Sequence, residues 1–199
     1  MGKDMKTVLM MYVTLLPVII AGALNMLFCK MSFLDSISLP LDNGKTLRDG
    51  KRLFGDNKTY KGLVGYVVLN MMTYILWGLI CHAGKFDHLN FFYVNYQNNV
   101  FYNAFIGVLL GLAYALFELP NSFLKRRFDI VPGKTASGFK KVFFVFLDQS
   151  DSIFGCVLVL CLFYRMSVLF YLCYVLLGAA THIIVNVILY LCKLRKNMF

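Results

Sequence analysis

The chain is poor in charged residues, which make up only 15% of its 199 positions, while 59% are hydrophobic. A soluble domain averages roughly 25% charged and 45–50% apolar residues. The excess apolar surface has no water-compatible place to go, and this excludes an ordinary soluble globular domain. The composition therefore predicts an integral membrane protein, and the length suits one domain of a few spans, residues 1–199.

The sequence also lacks the motifs of several common site classes. None of its six cysteines forms a CxxC pair, and most lie within or beside apolar runs, so we interpret them as small buried hydrophobes. Two Gly-Lys-Thr strings occur, at 44–46 and 133–135, but Leu39 and Phe128 stand where a Walker A loop needs its first glycine. This argues against a disulfide framework, a zinc site and a P-loop.

Five apolar runs are long enough to cross the hydrocarbon core as helices. They lie near 7–28, 63–83, 100–119, 142–164 and 167–192. The first also resembles a signal peptide, because Lys3 and Lys6 precede it and Ala21-Gly22-Ala23 is similar to a cleavage site. Its length favours a retained span. The fold class expected is an all-α polytopic membrane protein with about five transmembrane helices and two long cytoplasmic loops.

The positive charge is unevenly distributed between the connections. Sixteen of the 20 lysines and arginines lie in loop one (29–62), loop three (120–141) and the C-terminal tail, which alternate spans place on one side. The positive-inside rule puts that side in the cytoplasm and the N-terminus outside, and favours the cell membrane as the host. Topology explains the net charge of +10 better than nucleic acid does.

Loop one is the most informative polar segment. Between residues 40 and 62 it alternates glycines with acids and cations, including Asp42, Asp56, Lys45 and Lys58. Glycine-rich turns form anion-binding nests, cations bind phosphate, and carboxylates suit Mg²⁺ held together with substrate phosphates. The segment predicts a site for a polyphosphate and a metal. The alternative is a basic linker that only sets topology.

Two further segments carry charge at the edges of apolar spans. Asp148 and Asp151 are three residues apart, so a helix places them on one face, and acids at membrane depth are functional candidates. The alternative is an N-cap cluster at the start of a helix. Glu118 precedes Lys125, Arg126 and Arg127, which suit a lipid phosphate or, alternatively, an ordinary positive stop signal. We expect His182 and Asn186, which are four residues apart, to face the bundle in the last span and bond a neighbouring helix.

These segments resemble the conserved motifs of the CDP-archaeol synthase family. Residues 40–62 are similar to its first loop, P-x-D-x-G-K…D-G-x-R-x-x-G-D-x-K-T-x-x-G, Ser122–Arg127 to S-F-x-K-R-R, and Leu147–Asp151 to L-D-Q-x-D. The matches follow the family order between about 40 and 155. One departure is Phe117-Glu118, where the family has Gly-Asp: Glu118 keeps the charge and lengthens the reach.

The resemblance implies about five spans and Mg²⁺-dependent transfer of CMP from CTP to a lipid phosphate in phospholipid biosynthesis, with release of pyrophosphate. It leaves the identity of the lipid and a homodimer open. The residues and the resemblance together suggest metal ligands, phosphate-binding residues and catalytic residues. The metal ligands are Asp148 and Asp151, with Asp56 and Glu118 as contributors. The residues for the CTP phosphates are Lys45, Arg52, Gly55, Lys58 and Thr59. Those for the lipid phosphate are Ser122, Lys125, Arg126 and Arg127. The catalytic set is Asp148, Asp151, Lys125 and Asp56.

Two other classes of function stay open at this point. An ion-coupled transporter would use buried acids as an ion path, but it predicts acids spread along the depth of the spans, whereas these gather at one end. A non-catalytic membrane scaffold of the same fold would keep the helices without the chemistry. Binding of CTP distinguishes that scaffold from the enzyme.

Overall fold

The computed structural model describes residues 2–134 and 138–194. Five helices there are long and apolar enough to cross a membrane, which confirms the predicted all-α class. They are α1 (Lys3–Lys30), α2 (Tyr60–Ala83), α3 (Val100–Arg127), α4 (Lys140–Phe163) and α5 (Val168–Leu191). The end of the second Gly-Lys-Thr string and the C-terminal Arg195 and Lys196 lie outside the described residues.

Three of the helices begin at a residue type that favours helix starts. Thr59 caps α2 by accepting the backbone N–H of Gly62, Asn99 caps α3, and Ser167 caps α5. Such side chains accept a hydrogen bond from one of the first N–H groups, which otherwise lack a partner. Thr59 therefore has a structural role at the point where loop one returns to the membrane.

Two helix boundaries bear on the predicted site. Helix α3 runs through Pro120 to Arg127, so the segment 120–127 is helical rather than part of a connecting loop. Hydropathy ended the predicted span early because the added turns are polar, whereas backbone hydrogen bonds do not depend on side-chain polarity, and membrane helices tolerate proline. Helix α4 begins at Lys140, so Asp148 lies well inside it and the N-cap alternative is wrong.

Glycines let the central helices approach closely and so set the position of the polar segments. A Cβ atom on Gly107 or Gly111 of α3 would lie 2.6 Å from a backbone oxygen of α2. A Cβ on Gly155 of α4 would lie 2.8 Å from the Ala113 oxygen of α3. Small residues of this kind allow backbones to pack closely in membranes. Helix α3 is thereby fixed between α2 and α4, with its polar end beside the acids of α4.

Loops one and three meet at one end of the bundle. Lys51 Nζ lies 2.8 Å from Asp129 Oδ2, and Arg127 Nη1 lies 2.5 Å from Asp49 Oδ2. Lys30, at the end of α1, donates to the backbone oxygen of Leu194 after α5. The basic segments that the charge count assigns to one side therefore lie together. That this side is the cytoplasm stays a prediction.

Helix α1 packs into the bundle. Tyr74 of α2 donates its hydroxyl to the Thr14 oxygen, and Tyr174 of α5 donates to the Met11 oxygen, 2.6 Å away. Leu15, Val18 and Ala21 of α1 are buried. The helix therefore supplies part of the core and one wall of the site described below.

Candidate active site

A cavity of about 750 Å³ opens at the end of the bundle that carries loops one and three. Loop one, the residues after α3 and all five helices contribute to its lining, with α2 contributing Tyr66. Eight charged residues line it: Lys30, Lys58, Glu118, Lys125, Arg126, Lys134, Asp148 and Asp151. A mixed set of acids and cations in one cavity suits a polyphosphate and a divalent cation.

Asn121 joins the two acids of α4. Its amide nitrogen Nδ2 lies 2.7 Å from Asp148 Oδ1 and 2.6 Å from Asp151 Oδ2. The two carboxylates are therefore within about twice a hydrogen-bond length of each other. Asn121 and Asp151 are buried, so their orientation is fixed by packing as well as by these bonds. The helical spacing predicted correctly that Asp148 and Asp151 share a face.

Two lysines balance the acids on the cavity wall. Lys125 Nζ lies 2.5 Å from the Asp148 carboxylate, and Lys58 forms an ion pair with Glu118. Burial lowers the pKa of Lys58, but the carboxylates of Glu118, Asp151 and Asp148 raise it more, so the net shift is upward. Lys58 therefore carries its positive charge in the ligand-free cavity.

Arg126 presents a buried guanidinium to the same cavity. Its Nε and Nη1 atoms have no hydrogen-bond partner among the described residues, although the side chain is buried. Gly55 of loop one packs against it, and a Cβ on Gly55 would lie 3.0 Å from Arg126 Nη1. Because a buried donor without a partner is costly, this guanidinium is suited to an anionic ligand.

Loop one is held by Asp42. The buried carboxylate accepts hydrogen bonds from Arg52, with 2.5 Å between Oδ1 and Nη2, and from the N–H groups of Gly44, Phe54 and Gly55 at 3.0–3.1 Å. Burial raises the pKa of Asp42, but these hydrogen bonds lower it by more. The pKa therefore lies well below the usual range of an aspartate. Asp42 therefore stays ionised and fixes the loop.

Six predicted site residues lie outside the cavity lining. Arg52 bonds Asp42 and, at 2.9 Å, the largely exposed Asp56. Lys45 is exposed on the loop surface. Arg127 pairs with Asp49 and donates to the Arg52 oxygen, 2.5 Å away. The remaining two are Gly55, behind Arg126, and Thr59, the α2 cap. Direct ligand contacts by these residues stay predictions.

The donor set is compatible with Mg²⁺ supported by substrate. Among residues 2–134 and 138–194, no group of three or more His, Cys, Asp or Glu side chains is placed to hold a metal ion. The paired carboxylates of Asp148 and Asp151 are nevertheless the number that Mg²⁺ takes when phosphate oxygens and water complete its shell. Mg²⁺ therefore fits here only together with a bound phosphate ligand.

Asn121, Lys134 and Lys30 are among the cavity-wall residues that the sequence did not reveal. Asn121 is neutral and gave no charge signal, yet it lies three residues after Glu118 and four before Lys125, on the same helical face. Lys30 was counted only toward the positive charge of loop one, and Lys134 was considered only as part of a Gly-Lys-Thr string that lacks the first Walker A glycine. Asn186 donates to the side-chain Oε1 of Gln149 at 2.6 Å, and His182 Nδ1 lies 3.3 Å from the backbone oxygen of Gln149. Both residues therefore support α4 at the cavity.

Comparisons with known proteins agree with this geometry. A family model described as CarS-like, CDP-archaeol synthase, matches residues 5–199. The CDP-archaeol synthase of Thermofilum pendens is 29% identical over 90% of this chain and 76% of its own length. That of Pyrobaculum aerophilum is 31% identical over 79% and 80%. An intramembrane enzyme for archaeal membrane lipids biosynthesis shares the fold, with a TM-score of 0.61 and 23% identity over 90% of this chain and 92% of its own.

Proposed function

The chain belongs to the CDP-archaeol synthase family, and from that premise we propose that it transfers CMP from CTP to a lipid phosphate. The product is a CDP-activated lipid for membrane phospholipid synthesis, and pyrophosphate is released. The observation that carries the proposal is the convergence of Asp148, Asp151, Lys125, Lys58 and Arg126 on one cavity at the end of a membrane bundle.

The reaction is a displacement at phosphorus. A phosphate oxygen of the lipid attacks the α-phosphorus of CTP and forms the new P–O bond. The bond between the α-phosphorus and the bridging oxygen to the β-phosphate breaks, and its electrons leave with pyrophosphate. Because the attacking oxygen is already an anion, no general base is needed, and the protein contributes positioning and charge neutralisation.

Asp148 and Asp151 are the residues that would hold Mg²⁺, with Glu118 nearby and Asp56 a predicted contributor from loop one. Bound Mg²⁺ would neutralise charge on the phosphates. Asn121 keeps the two α4 carboxylates turned toward the cavity, since its amide bonds both. Lys125 balances the negative charge of Asp148 until the ligands bind.

The cations are divided between the two substrates. Lys58 would bind the CTP phosphates from loop one, and the loop that Asp42 and Arg52 brace keeps it in place. Lys125, Arg126 and Ser122 would bind the lipid phosphate from α3, because all three line the cavity. Arg127 supports them indirectly through its contacts with loop one. Charge-assisted bonds of this kind are among the strongest available to phosphate.

The test uses purified protein in detergent with labelled CTP, Mg²⁺ and a panel of ether-linked and ester-linked lipid phosphates. We expect lipid-linked CMP and pyrophosphate in equal amounts from at least one lipid, and an Asp148→Asn variant at least about a hundredfold slower. Lys85→Ala, at the opposite end of the bundle, is the matched surface control. If no lipid yields product with the wild type, the enzymatic proposal is wrong.

The orientation belongs to the proposal as well. We place the cavity on the cytoplasmic face of the cell membrane, because the basic segments gather at that end. Labelling of single cysteines with a membrane-impermeant maleimide checks this in intact cells. A cysteine at Lys85 should react from outside and one at Lys45 should not, and the reverse result contradicts the orientation.

A further inference from the structure

The cavity has two walls of different chemistry. Loop one, α3, the residues after α3, and α4 supply seven of its eight charged residues, and Lys30 at the end of α1 supplies the eighth. The rest of the α1 lining is small or apolar, with Gly22, Ala23 and Met26 among it, and the α5 lining carries no acid, lysine or arginine. A molecule that satisfies both walls has an anionic head and an apolar body.

The apolar wall continues into a second, smaller hollow deeper in the bundle. The two hollows share Val18, Ile19, Ile153 and Gly178. The deeper one is otherwise lined mainly by hydrocarbon and aromatic side chains from α1 and α5, among them Leu15. The deeper hollow has a volume of only about 20 Å³, so it shows that the apolar wall continues toward the middle of the membrane without a chain-sized space behind it.

Helices α1 and α5 are joined at two levels along their length. At the end away from the cavity mouth, Tyr174 donates to the Met11 backbone oxygen, and Thr181 Oγ1 lies 3.2 Å from the Tyr12 hydroxyl. At the other end, Lys30 donates to the Leu194 oxygen. Between these levels both helices line the cavity, which therefore lies between them.

The outer sides of the same stretch face away from the protein. Ile20 and Leu24 of α1 are 41% and 40% exposed, and Ile184 and Ile188 of α5 are 57% and 52% exposed. Apolar side chains with this exposure on a membrane span face lipid. Helices α2, α3 and α4 separate the two in the sequence, so no connecting loop ties one directly to the other.

We propose that the slot between α1 and α5 admits the lipid phosphate sideways from the bilayer. The phosphate moves to the charged wall at Lys125 and Arg126, while a hydrocarbon chain lies along the apolar wall of the same cavity past Ile19, Ile153 and Gly178. The inference deepens the proposed function and rests on it. It assigns a route and a chain-binding surface to the lipid, whereas CTP reaches the cavity from the loop side.

The first experiment narrows the slot. Ala23→Phe adds a ring to a residue that lines the cavity, and Leu24→Phe, one position along, adds it on the lipid side as the matched control. We expect Ala23→Phe to lower kcat/KM for a long-chain lipid phosphate about tenfold, the effect of keeping roughly two methylene groups out of an apolar environment. The loss for water-soluble dihexanoyl phosphatidic acid should be several-fold smaller than the loss for the long-chain substrate, and Leu24→Phe should leave turnover of both substrates within about twofold of wild type.

Equal losses for the long-chain and short-chain substrates, or none for the long-chain one, would overturn the slot. Val185→Phe, with Ile184→Phe as its control, repeats the test on α5 in case the first variant does not fold. Both pairs are compared with wild type by melting temperature in detergent.

The second experiment does not need turnover. Phosphatidic acid with a diazirine on one acyl chain is irradiated with the wild-type protein in vesicles, without CTP. The slot predicts label on the peptides that contain residues 15–26 and 178–189. Turnover without this labelling would show that the lipid does not enter between α1 and α5, and it would leave the proposed function intact. Labelling without turnover of any lipid would show that the proposed function is wrong, and it would leave the slot as a lipid-binding surface.

Discussion

Lys58 and Glu118 form an ion pair at the wall of the cavity, although 60 positions separate them in the sequence. Their side chains are only 24% and 16% exposed, so each charge needs the other in the ligand-free protein. A triphosphate offers Lys58 a more highly charged partner than one carboxylate. We therefore interpret the pair as an arrangement that keeps Lys58 charged and in position until CTP binds.

Removing Lys58 should weaken the binding of CTP and also lower the stability of the protein, for two different reasons. We expect Lys58→Ala to raise the Kd for CTP roughly 10- to 150-fold, because a hydrogen bond to a charged group contributes about 1.5–3 kcal/mol. The same change should lower the melting temperature, since it leaves Glu118 without its cation. Titration calorimetry and thermal unfolding in detergent measure the two effects.

The double variant Lys58→Ala/Glu118→Gln is the control for that prediction. Removing the stranded carboxylate should restore much of the melting temperature but not the affinity for CTP. Recovery of both would mean that Lys58 acts only as the partner of Glu118.

Asn121 is a positioning residue, because its amide holds both α4 carboxylates. We expect Asn121→Ala to lower the transfer rate about 10- to 100-fold, the usual effect of losing a group that orients metal ligands. The diagnostic readout is the Mg²⁺ concentration that gives half-maximal activity, which should rise in the variant. A slower variant with an unchanged Mg²⁺ requirement would show that Asn121 supports the fold rather than the carboxylates.

Part of this site could be predicted from sequence because it depends on local geometry. The three-residue spacing of Asp148 and Asp151 fixes a shared helical face whatever the helix packs against, and the structure places both at the cavity. Runs of apolar residues likewise predicted five spans. The end of α3 was misplaced, since a polar helix end carries no hydropathy signal even when its backbone bonds continue to Arg127.

The rest depends on contacts between distant segments. Arg52 was predicted to bind phosphate from its charge and neighbourhood, but the loop turns back on itself, with an isolated bridge between Thr46 and Arg52, and brings Arg52 to Asp42. No pattern in the sequence indicates which carboxylate will pair with a given cation. The slot between α1 and α5 is of the same kind, because residues of the two helices that make contact are 163 positions apart.

Asp42 should make loop one sensitive to acid. Its folded pKa is depressed, so its ionised form stabilises the loop above about pH 4, the usual pKa of a free aspartate. That contribution is lost as the pH falls through the lower folded value. We expect trypsin to cleave at Lys45 or Arg48 several-fold faster in Asp42→Asn than in wild type at pH 7. Asp4→Asn, at the other end, should behave as wild type.

The acid response itself is measured with an acid-stable protease. Wild-type protection should be flat between pH 5 and 7 and fall below about pH 4, while Asp42→Asn should show no such step. A step of equal size in both proteins would assign the acid response to another group.

Gly55 combines a backbone requirement with a contact to Arg126. Its φ is +94°, in the region that favours glycine, and an added Cβ would lie 2.8 Å from Pro132 Cγ and 3.0 Å from Arg126 Nη1. Gly55→Ala should therefore strain the loop by roughly 1–2 kcal/mol and also displace the guanidinium from the cavity. We expect a loss of stability together with a KM for the lipid phosphate that rises at least about fivefold, the smallest effect expected of about 1 kcal/mol.

Gly50→Ala separates the two effects. Gly50 has a φ of +74°, but apart from its chain neighbours no heavy atom of the described residues lies within 4 Å of the position its Cβ would take. This variant shares the backbone strain without touching Arg126, so it should lose a similar amount of stability and keep the KM for the lipid phosphate. Steady-state kinetics at saturating CTP and thermal unfolding of both variants test the pair. If Gly50→Ala raised that KM as much as Gly55→Ala, the cause would be loosening of loop one, and the contact between Gly55 and Arg126 would have no part in binding the lipid phosphate.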